Sequence, residues 1–426
     1  MPGALKVAFK IVLEYWWVIA PVALFFIFKA IWLKYVRTKF VDSLKWVLLE
    51  IKIPQDVKKT PKAMEQVFAA LHGLKHGNNF VEKWFKGKFQ EWFSLEIISQ
   101  GGQIHFFIHI LEKFKNLAEA QFYAQYPDAE INQVEDYATT LPSNIPGKDY
   151  DVWGTELVLT REDAYPIKTY PYFFEEHEEE ERIDPLASLS EVLSSLTPEE
   201  NIWIQILARP ANDDWKKEGE KLVGKLIGKK VAVTKKGIIL EEARSWFEVT
   251  REALHELFFG PLSGKEALKK PEEKSLESLM SHLSPGQREV VLAIEKNIAK
   301  LGFETAIRFI YWAKSDIFSK ANTAAIIGSF KQFNTLNLNG FKPNKKINPS
   351  IDYWLKKRRE FYRKVNVLNN YKKRYFPYGN FSERGFVFNI EELATIYHFP
   401  GRFVKAPTIS RVEAKKSGPP GRLPIE

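Results

Sequence analysis

The chain has 426 residues, a formal net charge of +9 and no cysteine. Apolar residues make up 45% and charged residues 27%, which excludes wholesale disorder, and the length suggests two or three domains. The lack of cysteine excludes disulfide scaffolds, cysteine nucleophiles, iron–sulfur clusters and thiolate zinc sites.

The first predicted element is a membrane anchor at residues 1–43, with a helix at about 11–36. Its core, Tyr15–Leu33, has 19 residues of which only Lys29 is charged. A helix of that length spans roughly 28 Å, close to the hydrocarbon thickness of a bilayer. Aromatic side chains that suit a membrane interface lie at both ends of the core: Trp16, Trp17, Trp32 and Tyr35. A signal peptide is disfavoured because no small-residue cleavage site follows, and a buried core helix stays open as the alternative.

The basic residues beside this core predict its orientation. Five of them, from Lys29 to Lys45, lie at or after its C-terminal end, whereas Lys6 and Lys10 precede it. Because flanking Lys and Arg stay on the cytoplasmic side, this bias predicts a cytoplasmic C-terminal body. No second stretch of comparable length and apolarity follows, so we expect a single-pass protein of the inner (cytoplasmic) membrane.

Residues 44–138 predict a first ferredoxin-like domain with the element order β-α-β-β-α-β. Strands are expected at 45–53, 92–99, 104–110 and 129–135, with helices beginning near residues 60 and 112. Thr60 and Pro61 are typical of a helix N-cap and first turn. Gly101 and Gly102 indicate a tight hairpin between the second and third strands.

Residues 150–340 predict a second α+β domain, a diverged copy of the first, with a helical insertion at about 229–283. Strands are expected at 152–160, 167–174, 201–209 and 303–313, and helices near 184–196, 213–226, 285–301 and 321–333. The predicted fold class is therefore α+β: an N-terminal transmembrane helix, two ferredoxin-like α/β sandwich units, and a basic C-terminal extension at 341–426.

The sequence predicts no catalytic, cofactor or metal site, and hence no enzyme. It has neither a Gly-x4-Gly-Lys-Ser/Thr phosphate loop nor a Gly-x-Ser-x-Gly nucleophile motif. Its two histidine pairs with four-residue spacing lack a third ligand, and the acidic run Glu175–Glu181 is typical of a solvated loop. The less favoured alternative is a metal-dependent ferredoxin-like enzyme that uses Glu96 with His105 or His109.

The C-terminal segment 341–426 is strongly basic, with 19 Lys/Arg against 7 Asp/Glu. Aromatic residues alternate with its basic clusters, and this mixture suits either the phosphates and bases of a nucleic acid or an anionic lipid surface. A solvated helix with an aromatic packing stripe is the third interpretation. The candidate contact residues are Lys356, Lys357, Arg358, Arg359, Arg363, Lys364, Lys372, Lys373 and Arg374.

Several segments resemble membrane-anchored bacterial proteins related to type IV secretion and conjugation systems. The resemblance is carried by Thr60–Gly73 (TPKAMEQVFAALHG), Asn201–Pro210 (NIWIQILARP) and Phe386–Gly401 (FVFNIEELATIYHFPG). In that group, a segment similar to the last one leads into a HerA/FtsK-like ATPase. Since no Walker motif is present, the resemblance implies the anchoring and adaptor half of such a machine without its motor.

The function expected from this resemblance is that of a non-catalytic scaffold or adaptor that docks a separate HerA/FtsK-like motor ATPase. The predicted docking residues lie in one short helix and turn: Glu391, Glu392, Leu393, Tyr397, His398 and Phe399. The alternative is a membrane-tethered module that binds nucleic acid or anionic lipid. A homo-oligomer stays open as a further assembly.

Overall fold

A computed structural model describes residues 2–53, 59–174, 183–228, 283–350, 355–377 and 381–401. The side chains at 2–16, 18–19, 22–23 and 382 fall outside this description. The predicted acidic loop at 175–181 and residues 229–282 of the predicted insertion also lie outside the described residues. The described chain forms two compact units, an N-terminal unit of residues 2–45 and 76–90 and a main unit made of the rest.

The described residues form helices and strands that we number in chain order. The helices are α1 (Pro2–Asp42), α2 (Pro61–Leu71), α3 (Phe80–Trp84), α4 (Lys115–Gln125), α5 (Tyr170–Phe174), α6 (Ala187–Ser194), α7 (Asp214–Leu226), α8 (Pro285–Ile298), α9 (Lys320–Phe330), α10 (Lys356–Lys372), α11 (Phe381–Arg384) and α12 (Ile390–Ile396). The strands are β1 (Trp46–Lys52), β2 (Phe93–Gln100), β3 (Gln103–Leu111), β4 (Glu130–Val134), β5 (Tyr150–Leu159), β6 (Glu200–Pro210), β7 (Gly302–Lys314), β8 (Phe341–Pro343) and β9 (Phe386–Asn389).

The N-terminal unit is built on α1, which has 41 residues and is about 62 Å long. It is longer than the helix predicted at 11–36. No helix among the described residues is both long enough and apolar enough to cross a membrane. The transmembrane span therefore stays a prediction from the sequence.

The main unit contains one large sheet, in which the described strands follow the order β4-β1-β3-β2-β6-β7-β5-β8 and β9 pairs with β7. Its neighbouring strands are antiparallel. When each half is numbered separately, both halves have the strand order 4-1-3-2, and they join through their second strands, β2 and β6. The predicted α+β class with antiparallel strands is confirmed, but the two predicted sandwich units are halves of one continuous sheet.

Local sequence signals explain where several elements begin and turn. Thr60 is the N-cap of α2 with Pro61 in its first turn, as predicted. The β2–β3 hairpin turns at Gly101 and Gly102, with φ of +57° and +86°. Two successive positive φ values are those of a type I′ turn, which matches the twist of the strands it joins.

The sheet is covered on both faces, so its central strands are buried on each side. One face packs against α2, α4, α6, α9 and α12 in a large apolar cluster. The other face is covered by residues 137–145 and by α10, whose Val367, Leu368 and Tyr371 are buried there. A smaller apolar cluster joins α7 to α8.

The structure corrects two of the predicted elements. Residues 167–174 form no strand but lead into α5, because Ile167 N–H donates to Glu392 (3.0 Å) and Tyr170 N–H donates to Thr395 (3.0 Å). The C-terminal segment is not an extension, since β8 pairs with β5, and β9 pairs with β7 and buries Phe386 and Phe388. The described residues between 341 and 401 therefore belong to the fold.

Candidate functional site

The second face of the sheet carries a row of buried polar side chains at its centre. Glu96 on β2 lies opposite Gln205 on β6, Gln205 opposite Arg308 on β7, and Arg308 opposite Glu156 on β5. All four residues are at most 1% exposed. Because side chains of a strand alternate between faces, this register places all four on one face. We call this set the polar row.

Glu96 is the most heavily bonded member of the polar row. Its Oε1 accepts from Ser94 Oγ (2.5 Å), Gln205 Nε2 (2.9 Å) and Arg374 Nε (2.8 Å). Its Oε2 accepts from Tyr137 OH (2.6 Å) and Arg374 Nη2 (3.1 Å). A buried carboxylate needs such partners, because an isolated charge is strongly disfavoured away from water.

Arg374 lies over the row from the loop after α10 and is itself only 4% exposed. Its guanidinium bridges Glu96 and Asp136, with Nη1 to Asp136 Oδ2 at 2.7 Å and Nη2 to Asp136 Oδ1 at 2.9 Å. Its carbonyl accepts from Trp92 Nε1 (3.1 Å). The backbone φ of Arg374 is +45°, a left-handed value that strains a non-glycine residue and persists only where the surroundings fix it.

The other end of the row is held by two arginines around Glu156. Arg384 of α11 donates to both oxygens of Glu156, and Arg308 Nη2 lies 3.4 Å from Oε1. Arg308 also donates to the carbonyls of Asn370 and Tyr375, each at 2.6 Å. The polar row therefore binds both side chains and main chain of the C-terminal segment.

These pairs set the charge states of the row. Burial raises the pKa of Glu96, but the charge and hydrogen bonds of Arg374 outweigh it, and the net pKa lies below the usual value. Burial lowers the pKa of Arg308 to about 10, against the opposing charge of Glu156. Glu96 is therefore ionised at neutral pH and paired with Arg374, and Arg308 is charged.

The two histidines weighed for an enzyme lie on β3 of this face. His105 Nδ1 is 2.8 Å from Glu50 Oε1, away from Glu96. His109 stacks on Trp46, and burial together with the charge of Arg374 lowers its pKa to about 3. Among the described residues, no three His, Asp or Glu side chains come together as a metal site requires. Since Arg374 donates hydrogen bonds to both carboxylate oxygens of Glu96, the row suits ion pairing and not metal binding.

In the structure, some of the predicted basic contact residues are exposed and the others are bonded or partly buried within the fold. Lys356, Lys357, Arg358 and Arg359 are exposed on the first turn of α10, and Lys373 is exposed beyond its end. The others are engaged elsewhere: Arg363 with the carbonyl of Asn348, Lys364 with Asp151, and Arg374 with Glu96, while Lys372 is half-buried. Arg374 is therefore no surface contact, and the exposed basic group is the α10 first turn, residues 356–359.

The six predicted docking residues are buried. Leu393, Tyr397 and Phe399 pack in the large apolar cluster. The polar members bind within the fold: Glu391 accepts from Thr169, Glu392 from Ile167 N–H, and His398 Nε2 lies 3.1 Å from Asp184. The helix and turn predicted to dock a partner are therefore part of the core, and these six side chains are not accessible to a partner in this fold.

The predicted interfacial aromatics fall in the N-terminal unit. Trp17 and Tyr35 are exposed, whereas Trp32 is half-buried and donates from Nε1 to the carbonyl of Trp84 (2.9 Å). The side chain of Trp16 lies outside the described residues. Of the predicted interfacial aromatics that the structure describes, Trp17 and Tyr35 therefore lie at the surface of the N-terminal unit.

Sequence reasoning missed most of the polar row. Glu96 was considered only as a metal ligand, and Gln205, Arg308 and Glu156 were not singled out. A signal is present for three of them: Glu96, Gln205 and Arg308 each have apolar neighbours on both sides, as Gln205 does in Asn201–Arg209 (NIWIQILAR). Such a residue must find a buried partner, but the strand alone does not say which.

Together these observations define a mixed α+β protein whose described strands form one antiparallel sheet, with an internal ion-pair network on one of its faces. The family model for a domain of unknown function, DUF8128, matches residues 38–412. That match covers most of the chain, and the protein therefore belongs to the DUF8128 family. No curated protein matches the chain.

Proposed function

We propose that this protein is a non-catalytic scaffold attached to the inner membrane through α1. The observation that carries the proposal is a run of five consecutive apolar residues, Leu24–Phe28, that are 47–62% exposed. With about 3.6 residues per turn, five consecutive side chains surround the helix. A helix that is apolar on all sides belongs in a protein core or a membrane.

The scaffold role is supported by the ion pairs and hydrogen bonds that buried charged side chains make within the main unit. Its buried carboxylates and guanidinium groups pair with one another and with backbone groups of the C-terminal segment. Networks of this kind fix one arrangement of the chain. We propose further that the two halves of the sheet are diverged copies of one ferredoxin-like unit, because they share one strand order.

Fractionation of cells that express the full chain tests membrane attachment. We expect the wild-type chain to stay in the membrane pellet after alkaline carbonate, and Ile27→Glu with Phe28→Glu to release it. Leu292→Glu is the matched control, since Leu292 is also exposed but lies on α8 of the main unit. Equal extraction of the wild-type chain and the double variant would refute attachment through α1.

A role beside a HerA/FtsK-like motor of a type IV secretion or conjugation machine is the further part of this proposal, supported by the sequence resemblance. Removing 386–401 would delete β9 and α12 and disrupt the core, so a deletion test must spare them. We expect the full chain to co-purify with such an ATPase, and a chain lacking 402–426 to lose it. Unchanged recovery of the ATPase with the shortened chain would contradict this docking route.

The α10 first turn supports a second candidate function, binding to nucleic acid or anionic lipid. Its four basic side chains are exposed, and Phe361 and Tyr362 beside them are 49% and 53% exposed. Affinity for a nucleic acid falls as the salt concentration rises, and each phosphate contact makes the slope of log affinity against log salt concentration more negative by about one. Charge reversal of residues 356–359 should remove binding to single-stranded DNA or anionic vesicles. The matched control reverses four exposed lysines of α7, Lys216, Lys217, Lys221 and Lys225, and equal loss in both variants would mean nonspecific attraction.

A further inference from the structure

The N-terminal unit exposes a second apolar surface besides α1. Within His76–Gln90, the side chains of Phe80, Val81 and Phe85 are 38%, 54% and 62% exposed. They lie on α3 and directly after it. We call these three residues the α3 patch.

The segment that carries the α3 patch packs against α1 near Trp32. Trp32 donates from Nε1 to the carbonyl of Trp84 (2.9 Å), and Lys29 Nζ lies 5.2 Å from the centre of the Trp84 ring. Gly87 has a φ of +65°, and a Cβ there would lie 2.4 Å from the carbonyl oxygen of Val36. The segment therefore packs backbone to backbone on α1, next to the aromatic end of its apolar run.

The charges around the α3 patch are basic. Lys83 and Lys86 are exposed beside it, and Lys88 is bonded to Glu82 (2.7 Å). Exposed aromatic side chains combined with lysines are the composition of segments that lie in a lipid headgroup layer. Basic residues near an anionic membrane surface strengthen the attraction to it.

We propose that the α3 patch is a second membrane contact, which inserts into the headgroup layer of an anionic bilayer beside α1 and fixes the depth of the anchor. This inference rests on the proposed membrane attachment and adds to it a named surface and lipid class. The lipid surface is favoured over a second protein copy because the patch is small and flanked by the exposed Lys83 and Lys86, which would repel those of an identical patch.

The lack of cysteine allows a clean site-specific test. Single cysteines at Val81, Phe28 and Leu336 are labelled with an environment-sensitive fluorophore in the full chain. Leu336 is the water-exposed control, since it is 95% exposed on the main unit. The labelled chains are reconstituted into phosphatidylcholine vesicles with and without phosphatidylserine, and quenching by aqueous iodide and by shallow spin-labelled lipid is compared.

We expect the label at residue 81 to be quenched by shallow spin-labelled lipid and shielded several-fold from iodide, more strongly with phosphatidylserine. Lys83→Glu with Lys86→Glu should remove that dependence on phosphatidylserine. If residue 28 lies in lipid and residue 81 stays in water, this inference is overturned while membrane attachment stands. If residue 28 also stays in water, the proposed attachment fails as well. Shielding at residue 81 without quenching by lipid would indicate a protein contact and would likewise overturn the inference.

Discussion

Replacing Arg374 by methionine should strongly destabilise the main unit, because Arg374 pairs with the buried Glu96. The substitution keeps an apolar stem but leaves Glu96 charged and buried with only neutral donors from Ser94, Tyr137 and Gln205. Removal of one partner from a buried ion pair typically costs about 3–5 kcal/mol. We expect a loss of that size in the free energy of unfolding of Arg374→Met.

A second substitution tests whether the cost comes from the stranded carboxylate. Glu96→Gln keeps an acceptor for Tyr137 and carries no charge, so the double variant with Arg374→Met should recover part of the loss. Residues in one buried network show coupling energies of about 0.5–3 kcal/mol. We therefore expect the double variant to be more stable than Arg374→Met alone.

Urea unfolding of the full chain in mild detergent, followed by tryptophan fluorescence and circular dichroism, measures these values. Lys373→Met is the matched control, because Lys373 is the neighbouring basic residue and is exposed. Surface substitutions of that kind change stability by no more than about 0.5 kcal/mol. Equal stability of Arg374→Met and Lys373→Met, or strict additivity in the double variant, would refute the reasoning.

The same pair predicts an acid-sensitive component of stability. Burial raises the pKa of Glu96, but the charge and hydrogen bonds of Arg374 lower it by more, so the pKa in the fold lies below its usual 4.5. A depressed carboxylate pKa gives stability that is present above the unfolded pKa and lost as pH falls through the folded one. The wild-type chain should therefore lose more stability on acidification below pH 4.5 than the double variant does.

Two further outcomes follow from single positions. Gly102→Ala should destabilise the chain by about 1–2 kcal/mol, because a positive φ is unfavourable for an L-residue and the new Cβ would lie 2.9 Å from the carbonyl oxygen of Ser194. Thermal unfolding measures this loss, with Gly77→Ala as the control, because a Cβ at Gly77 would meet no atom within 4 Å. Burial raises the pKa of Glu392 to about 8, so its stabilising contribution is present below about pH 4.5 and is lost as pH rises towards 8. Melting temperatures from pH 5 to 9 should therefore depend less on pH in Glu392→Gln, and parallel curves would contradict that assignment.

The elements of this fold could be predicted where the signal is local. Thr60 with Pro61 begins α2, and Gly101 with Gly102 closes the β2–β3 hairpin, because caps and tight turns depend on a few adjacent residues. The pairing of β2 with β6 was not predicted, since two strands about a hundred residues apart carry no local mark of being neighbours. Both strands are buried on each face, and their near-continuous apolar runs hinted only that they are central.

The basic segment shows why charge counting misplaced part of the candidate site. Lys373 and Arg374 are adjacent in a basic cluster, yet one is exposed and the other is buried against Glu96. Net charge depends on composition, whereas exposure depends on which long-range partner a side chain meets. The buried docking helix has the same cause: α12 is too short for a clear amphipathic pattern, so its residues gave no sign that every side is covered.

The polar row also constrains where any partner can bind. Glu96 and Glu156 hold the segment after α10 through Arg374 and Arg384, and Arg308 donates to the carbonyls of Asn370 in α10 and Tyr375 after it. The C-terminal half of α10 and residues 386–401 are thereby fixed to the sheet and cannot present a docking helix without breaking buried ion pairs. A partner must instead use groups that the fold leaves exposed, which among the described residues include the α10 first turn and the α3 patch.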